Sequence, residues 1–345
     1  MTVPHVPGVI TRDEIIRSGE HLASLQTPSG RVPWWPGGHC DPWNHVESAM
    51  ALDVAGFHRE ADMAYTWLAE IQRPDGSWHN YYLPNGDRDD TVEDAKIDTN
   101  VVAYVATGVW HHWRTTGDHT VLDRLWPTVE RALDHVLAHR RHDGLVLWAV
   151  EPDGTRTWDY ALLTGSASIQ HALRCGAAIG VELDVSRPDW IEAADTISNL
   201  VANSPHSFEP KSRWAMDWYY PVLTGAVTGE AAKRRLADGW STFAMDDLGV
   251  RCVSDEPWIT ASETAEAALA FAAIGDFSTA ADLLRWTRHH RLDDGAYLTG
   301  LVHPGPIVFP VDETSSYTAA AVLLAADAIG GTGPARDVFV RHDVR

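Results

Sequence analysis

Acidic residues recur near the starts of several Ala- and Gly-rich segments of this sequence. Glu47 lies in "HVES", Asp98 in "IDTN", Glu263 in "SETA" and Glu313 in "DETS". Carboxyl groups that differ in burial can hold one proton and one negative charge, because desolvation and like-charge neighbours push their pKa values apart. Hydrolysis of a glycosidic bond needs such a pair: one acid protonates the leaving oxygen and the other activates water or attacks carbon.

The framework that must position these acids is helical. Charged helical periodicity appears at 11–26, 58–72, 119–141 and 277–291. Each of these segments ends in a turn such as "RPDG" or "RHDG", and then come an aromatic loop and a second, nearly all-apolar helix. This unit of roughly 55 residues recurs along the chain. We therefore predict an all-α fold, an (α/α)6 toroid of six helical hairpins, in a single domain over 1–345.

The apolar second helices should form the inner ring of this toroid. They are predicted at 44–56, 97–113, 162–180, 222–239, 260–275 and 312–330. Their alignment places at corresponding positions Glu47, Asp98, Gly165, Gly225, Glu263 and Glu313. Helix dipoles favour anions at N-termini, so these acids should surround one cavity. Helix capping is the competing explanation for such acids.

We assign Glu47 and Glu263 as the catalytic pair, because their helices could face each other across the ring. Asp98, on the second inner helix, is the reserve acid. Spacing does not decide which acid donates the proton. A separation wide enough to hold a water molecule would make the reaction inverting.

Tryptophan is unusually frequent, with 16 residues among 345, and many lie in loop-like segments. Its flat apolar ring with one donor suits stacking on sugars and also on isoprenoids, although such residues can instead close a helical core. His45 lies near Glu47 and could bind a sugar hydroxyl. The predicted substrate-binding residues are Trp34, Trp35, Trp43, His45, Asp94, Asn100, Trp148, Tyr160, Trp218, Tyr219 and Trp258.

Composition excludes several classes of protein. A formal net charge of −21 repels phosphate backbones and anionic lipids, so neither nucleic acid nor a membrane is an expected partner. The start of the chain lacks the features of a signal peptide, which predicts a cytoplasmic location. Cys40, Cys175 and Cys252 are far apart in sequence and should be reduced thiols. We predict no cofactor and no metal, and the oligomeric state stays open.

The acidic segment "NGDRDDTVEDAKIDTN", at 85–100, permits a different chemistry. "QRPDGSW" and "DRDDTV" resemble motifs of the squalene-hopene cyclases, and this resemblance would make Asp89 the proton donor of a class II terpenoid cyclase that uses the Asp87–Asp90 motif. Such a donor must be buried and protonated, whereas this segment is crowded with charge. On the favoured interpretation the segment is a cleft loop, and Asp98 and Asn100 begin the inner helix behind it.

Two further alternatives stay open. A calcium loop would use Asp87, Asp89, Thr91 and Glu93, but Val92 stands where an EF-hand needs glycine. A toroid that only binds carbohydrate would keep the tryptophan platforms and lack a facing pair of acids.

A family resemblance favours the hydrolase. The segment from "DTNVVAYVATGVWHHW" to "RRHDGL" and on through "WDYALLTGSASI" resembles the glucoamylase-like clan of (α/α)6 glycoside hydrolases. With "DPWNHVESAM", "QRPDGSW" and "GVWHHW" added, the chain resembles an actinobacterial family labelled prenyltransferase-like, which includes mycobacterial methylmannose-polysaccharide hydrolases. The resemblance implies cleavage of internal α-(1→4) bonds in a neutral intracellular mannan. It does not supply the catalytic residues, whose assignment depends on the repeat alignment.

Overall fold

The computed structural model describes residues 2–85, 88–331 and 333–342, and the side chains at 85, 88 and 89 lie outside this description. Its α-helices are α1 (Arg12–Leu25), α2 (Pro42–Val54), α3 (His58–Glu70), α4 (Thr99–Ala103), α5 (Val105–Thr116), α6 (His119–Ala138), α7 (Leu163–Glu182), α8 (Pro188–Asn203), α9 (Met216–Leu223), α10 (Gly229–Phe243), α11 (Ala261–Ala273), α12 (Phe277–Trp286) and α13 (Ser316–Gly330). The strands are β1 (Tyr81–Asn85), β2 (Arg88–Asp94), β3 (Ile97–Asp98), β4 (Ala149–Val150), β5 (Ala244–Met245), β6 (Gly249–Arg251), β7 (Trp258–Thr260), β8 (Gly300–Val302) and β9 (Ile307–Val308).

Two kinds of helix alternate along the chain, and their sequence patterns explain where they lie. In α1 the buried residues recur every three or four positions, at Ile15, Ser18, Gly19, Leu22 and Leu25, so this helix has one buried face. In α2, by contrast, every residue is buried. Almost all of α11 and α13 is buried too. The prediction of a mainly helical protein with apolar second helices is confirmed.

The buried helices pack against one another in chain order. α2 packs on α5, α5 on α7, α7 on α9, α9 on α11, α11 on α13, and α13 returns to α2. Each more exposed helix covers a neighbouring buried one: α3 on α2, α6 on α5, α8 on α7, α10 on α9, and α12 on α11. α1 packs against both α13 and α2. Among the described helices, none has the length and apolarity that would carry it across a membrane.

The "QRPDGSW" motif closes a turn at the end of an outer helix. The Gln72 side-chain amide donates to the carbonyls of Gly76, at 2.9 Å, and Thr128, also at 2.9 Å. Gly76 has a φ of +89°, which favours glycine. Gln26 makes the equivalent 3.0 Å bond to Gly30 in the first repeat. The motif therefore joins an outer helix to its neighbour.

One predicted inner helix is wrong. The segment 222–239 was expected to be the fourth inner helix, but it contains the end of α9 and much of α10, an outer helix. Gly225, with a φ of +70°, lies in the turn that follows α9. Consequently it is not at the start of an inner helix. The true inner helix, α9, is short and carries Pro221 in its interior, so its periodicity was too brief to identify.

Short strands occupy several loops that lead into the inner helices. Part of the acidic segment, which is predicted as a cleft loop, forms β2, and β2 pairs antiparallel with β1. β3 pairs with β4, and β5 to β9 form a five-stranded antiparallel sheet in chain order. No strand alternation was recognised in the sequence, because most of these strands span only two or three residues.

Candidate active site

The first turns of several inner helices surround one cleft of about 370 Å³. Of the predicted site residues, the cleft is lined by Glu47, Glu263, Asp98, Trp34, Trp43, Asn100 and Trp148. The other lining residues, which are not predicted from the sequence, are Asp41, Asn44, Asn80, Tyr81, Lys96, Val101, Met216, Ser262, Glu266 and Tyr317. The three predicted acids therefore reach one site, together with two acids that were missed.

Glu47 is a buried acid on α2, with 3% of its surface exposed. The Tyr104 hydroxyl donates to its Oε1 at 3.1 Å. Burial raises the pKa of Glu47 to about 8, and the negative charges of Asp41 and Glu263 act in the same direction. At neutral pH this carboxyl is protonated, so it has a proton to donate.

Glu266 is the nearest counterpart of Glu47 on α11. The same number of residues separates Glu47 from the N-cap Asp41 and Glu266 from the N-cap Thr260. Glu266 accepts a hydrogen bond from the Tyr219 hydroxyl. Burial and the charge of Glu47 raise the pKa of Glu266 well above its usual value. The charge of Glu47 thus disfavours ionisation of Glu266.

The repeat alignment paired Glu47 with Glu263, which is one turn too early on α11. The signal for Glu266 was present in the sequence, since it is an isolated acid inside the apolar run "TAEAALAFAA". An acid in a helix that is buried on all sides needs a specific environment, and here that environment is the cleft floor.

Glu263 has different surroundings from Glu47. It lies in the first turn of α11, where the helix dipole favours a negative charge. The hydroxyls of Thr260 and Ser262 both donate to its Oε2, Ser262 at 2.7 Å. Two donors on one oxygen fix the orientation of the carboxyl.

Two N-cap aspartates occupy matching positions at the cleft. Asp41 caps α2 and accepts the indole N–H of Trp34 at 2.5 Å. Asp98 caps α4 and accepts the indole N–H of Trp148, also at 2.5 Å. Burial raises the pKa of both carboxyls, that of Asp98 to about 6. Each aspartate therefore fixes one tryptophan at the edge of the cleft.

Two groups of aromatic rings contribute walls to the cleft. In the first, Trp34 packs edge-on against Tyr81 and Tyr317, with ring centroids 6.1 and 5.2 Å apart. In the second, Trp148 stacks on Tyr160, with ring centroids 5.6 Å apart. Such walls suit a ligand that has flat apolar faces and hydroxyl edges.

The prediction for His45 requires a correction. His45 is buried, with 1% of its surface exposed. Its Nδ1 accepts the backbone N–H of Val32 at 3.1 Å, and its Nε2 bonds to the Ala64 carbonyl at 2.9 Å. Burial lowers the pKa of His45 to about 4. Both ring nitrogens are engaged within the core, so no nitrogen is left for a substrate hydroxyl.

Trp218 and Tyr219 are also core residues, which corrects their assignment to the substrate. The Trp218 indole N–H donates to the Arg235 carbonyl at 3.0 Å, and its ring stacks on Phe243. Tyr219 is fully buried and acts on the cleft indirectly, through Glu266. Their aromatic loops looked like cleft loops in the sequence because α9 was not identified.

The remaining predicted residues lie beside the cleft without lining it. Trp35 packs against Trp34, with ring centroids 6.0 Å apart. Tyr160 stands behind Trp148. Asp94 accepts the Asn80 side-chain amide at 2.8 Å. Trp258 lines a separate pocket.

The structure describes only part of the segment that resembles the cyclase motif. Asp87 lies outside the described residues, as does the side chain of Asp89. Glu93, on the same strand, is 41% exposed in its side chain and pairs with His39 at 3.2 Å. In the described ranges, no group of three or more His, Cys, Asp or Glu residues is arranged to hold a metal ion.

Comparison with known proteins gives one close relative along almost the whole chain. The MMP endo-(1,4)-3-O-methyl-α-D-mannosidase of Mycolicibacterium hassiacum is 44% identical over 337 residues, which is 98% of this chain and 92% of that protein. An uncharacterized glycosyl hydrolase of Methanocaldococcus jannaschii is 31% identical over 88 residues, which is 26% of this chain and 14% of that protein. No family model matches the sequence.

Solved structures share the fold at low identity. A wild-type glycosidase aligns with a TM-score of 0.72 at 15% identity, over 93% of this chain and 96% of that chain. A GH63 mannosylglycerate hydrolase of Thermus thermophilus aligns with a TM-score of 0.69 at 14% identity, over 92% and 99%. A D-mannose isomerase aligns with a TM-score of 0.68 at 13% identity, over 93% of this chain and 97% of that chain. The fold alone therefore does not determine the reaction.

The acid-lined cleft and the near-full-length relative define the class of the protein, which is a glycoside hydrolase. Within that class, the chain belongs to the family of the mycobacterial MMP endo-(1,4)-3-O-methyl-α-D-mannosidase.

Proposed function

We propose that the protein hydrolyses internal α-(1→4) bonds of a neutral mannan that carries methyl groups, and that it does so with inversion. The observation that carries this proposal is the relative at 44% identity over 98% of the chain, which is named for an endo-(1,4)-3-O-methyl-α-D-mannosidase. The cleft supports it independently, because acids of different environment lie between aromatic walls.

The proposal includes the architecture that brings the acids together. A single (α/α)6 toroid over 1–345 is supported by the return of the helix packing from α13 to α2. It is also supported by the glycosidase structures that align with 93% of the chain. In such a ring the N-termini of the inner helices open toward the same end, which explains why their first turns share a cleft.

Glu47 is the proposed general acid. Its raised pKa, about 8, keeps the proton on the carboxyl at neutral pH. In the reaction this proton moves to the glycosidic oxygen as the bond from that oxygen to the anomeric carbon breaks. Asp41 and Glu263 support this role, because their negative charges make loss of the proton from Glu47 less favourable.

Glu263 is the proposed general base. It takes a proton from the water that attacks the anomeric carbon, and the hydroxyls of Thr260 and Ser262 orient it. Asp98 remains the reserve acid, since it also lines the cleft and its pKa is raised to about 6. Attack by water on the face opposite the leaving group gives an inverted product.

The substrate class agrees with the charge of the protein. A neutral polysaccharide meets no repulsion from a chain of net charge −21, and its hydroxyls can donate to the cleft carboxylates. A cytoplasmic location is part of the proposal and is supported by the buried thiols of Cys175 and Cys252, which suit a reducing compartment.

Product analysis tests this proposal. The purified protein is incubated with α-(1→4)-manno-oligosaccharides, with and without 3-O-methyl groups, and the products are separated by mass spectrometry. Cleavage to shorter oligomers that depends on Glu47 and Glu263 is expected. Cleavage that survives Glu47→Gln or Glu263→Gln would move the chemistry to Asp98 or Glu266, and the absence of any cleavage would overturn the proposed substrate.

A further inference from the structure

Aromatic rings line a second pocket, which includes residues from the segments that lead into α9 and α11. Its volume is about 370 Å³, and its walls include Trp214, Trp258 and Phe309. Trp214 is 43% exposed and Phe309 is 49% exposed. Large apolar side chains grouped on a surface mark a binding site more often than isolated ones do. We call these three residues the rim patch.

The backbone holds the rim patch in place before any ligand arrives. Trp214 forms a β-bridge with Val253, and the neighbouring Ala215 N–H donates to the Cys252 carbonyl at 3.0 Å. The Trp258 indole N–H donates to the Phe309 carbonyl at 3.0 Å, and their rings meet edge to face at 5.3 Å. A ligand would therefore lose little energy in ordering these rings.

Gly300 shows that the position of Trp258 is tightly determined. A Cβ at Gly300 would lie 2.1 Å from the Trp258 Nε1, so no larger residue fits there without moving the indole. The rim patch thus depends on Gly300 in β8, the strand that pairs with β7, which carries Trp258.

The rim patch is close to the cleft along the chain. Met216 lines the cleft and follows Trp214 by two residues, so their Cα atoms are at most about 7 Å apart. Ser262, another cleft residue, follows Trp258 by four residues, which limits their Cα separation to about 14 Å. A polymer that leaves the cleft can reach the rim patch within a few sugar units.

The chemistry of the rim patch fits a neutral sugar chain. Pyranose rings present apolar C–H faces that stack on aromatic side chains, and methyl ethers enlarge those faces. The hydroxyl edges require polar partners, which Arg213 and Glu256 supply at the wall of the same pocket. Arg213 is itself held by Asp255 at 2.9 Å.

We propose that the rim patch binds the part of the mannan chain that extends out of the cleft, and so gives the enzyme a preference for long polymers over short oligosaccharides. This inference depends on the proposed function, because the occupant is the same polysaccharide. It assigns to Trp258 a role in substrate binding outside the catalytic cleft.

Kinetics on two substrate lengths test the inference. Trp214→Ala and Phe309→Ala should each raise KM for the polymer about five-fold or more, with kcat unchanged. Constants for an oligosaccharide that only fills the cleft should stay within about two-fold. Phe277→Ala is the matched control, because Phe277 is an exposed aromatic residue, at 38%, that lies away from the cleft. It follows the C-terminal end of α11, whereas the cleft is at the N-terminal end of that helix. Trp214→Phe should retain the preference.

A binding arm separates failure of this inference from failure of the proposed function. Calorimetry measures binding of the polymer to Glu263→Gln protein, with and without Trp214→Ala. It therefore reports the contribution of the rim patch to affinity in the absence of hydrolysis. If the parent cuts no mannan, the proposed function fails. If it cuts both lengths and the rim variants do not change KM for the polymer, the inference is overturned. A dimer in sedimentation that Phe309→Ala abolishes would also overturn it, because the patch would then be a subunit interface.

Discussion

Two buried carboxyl groups on α2 have opposite surroundings. Asp53, near the C-terminal end, accepts Nδ1 of His112 at 2.7 Å and Nδ1 of His58 at 2.9 Å. Burial lowers the pKa of His112, but hydrogen bonds to Asp53 and Asp62 raise it to about 9, so His112 is cationic at neutral pH. The charge of Asp53 is therefore matched within the core.

Glu47 lies nearer the N-terminal end of the same helix, and among the residues that the structure describes no cation is paired with it. The neutral hydroxyl of Tyr104 donates to it, and the charges that raise its pKa belong to the acids Asp41 and Glu263. Both carboxyls are almost fully buried, Glu47 at 3% and Asp53 at 2% exposed. The comparison teaches that burial alone does not make an acid reactive. The missing countercharge at Glu47 keeps a proton available at the cleft.

The largest effect should follow loss of either proposed catalytic acid. Glu47→Gln or Glu263→Gln should lower kcat for an α-(1→4)-manno-oligosaccharide by about 10²–10⁴-fold, the usual contribution of a general acid or base. Steady-state kinetics with circular dichroism of each variant measures this. If Glu47→Gln kept full activity, the absence of a paired cation at Glu47, in contrast to Asp53, would have no role in catalysis.

Asp53→Asn should act on stability instead of catalysis. It leaves the His112 imidazolium buried without its partner, which should cost about 3 kcal/mol of unfolding free energy. Denaturant unfolding measures that loss, and kcat of the folded fraction should remain near that of the parent. His58→Gln is the control, because the His58 side chain is 36% exposed and its loss should cost less.

Glu47 should also make the folding stability of the protein depend on pH. The pKa of Glu47 is raised from 4.5 to about 8, so the folded protein holds this proton more tightly than the unfolded chain. The resulting stability is complete below pH 4.5 and is lost as the pH rises through about 8. Between pH 5 and 8, Tm should therefore fall more for the parent than for Glu47→Gln, by roughly 5 °C. Equal slopes in calorimetric scans would contradict the raised pKa.

A smaller effect should come from Glu266→Gln. Burial and the charge of Glu47 raise the pKa of Glu266, whereas burial, Asp41 and Glu263 raise the pKa of Glu47. Replacing Glu266 with the neutral amide should therefore shift the alkaline limb of the kcat profile by less than about half a pH unit. kcat on the acidic side of that limb should change little. A loss of activity at every pH would instead place Glu266 in direct contact with the reacting atoms.

Much of the helical framework could be predicted from sequence. The periodic segments at 58–72 and 119–141 became α3 (His58–Glu70) and α6 (His119–Ala138), because a long amphipathic pattern identifies a helix well. α9 could not be found in this way, since it has only 8 residues and an internal proline. The hairpin of β1 and β2 was missed because its acidic residues have low strand propensity.

The site could be predicted only in part. Glu47, Glu263 and Asp98 were selected as acids at helix starts, and all three line the cleft. Glu266 was missed because an alignment of helix starts is uncertain by about one turn. His45 was selected for its proximity in sequence, yet neighbours on a helix point in different directions, and its ring turns into the core.

Two substrates that differ in their leaving groups test whether Glu47 is the proton donor. Parent, Glu47→Gln and Glu263→Gln proteins are assayed on a manno-oligosaccharide and on its dinitrophenyl glycoside, whose phenolate leaves without a proton. If Glu47 is the acid, Glu47→Gln should be slowed about 10²–10⁴-fold on the oligosaccharide and stay within about ten-fold of the parent on the aryl glycoside. Glu263→Gln should be slow on both. Equal losses for Glu47→Gln on the two substrates would contradict the assignment of Glu47 as the proton donor.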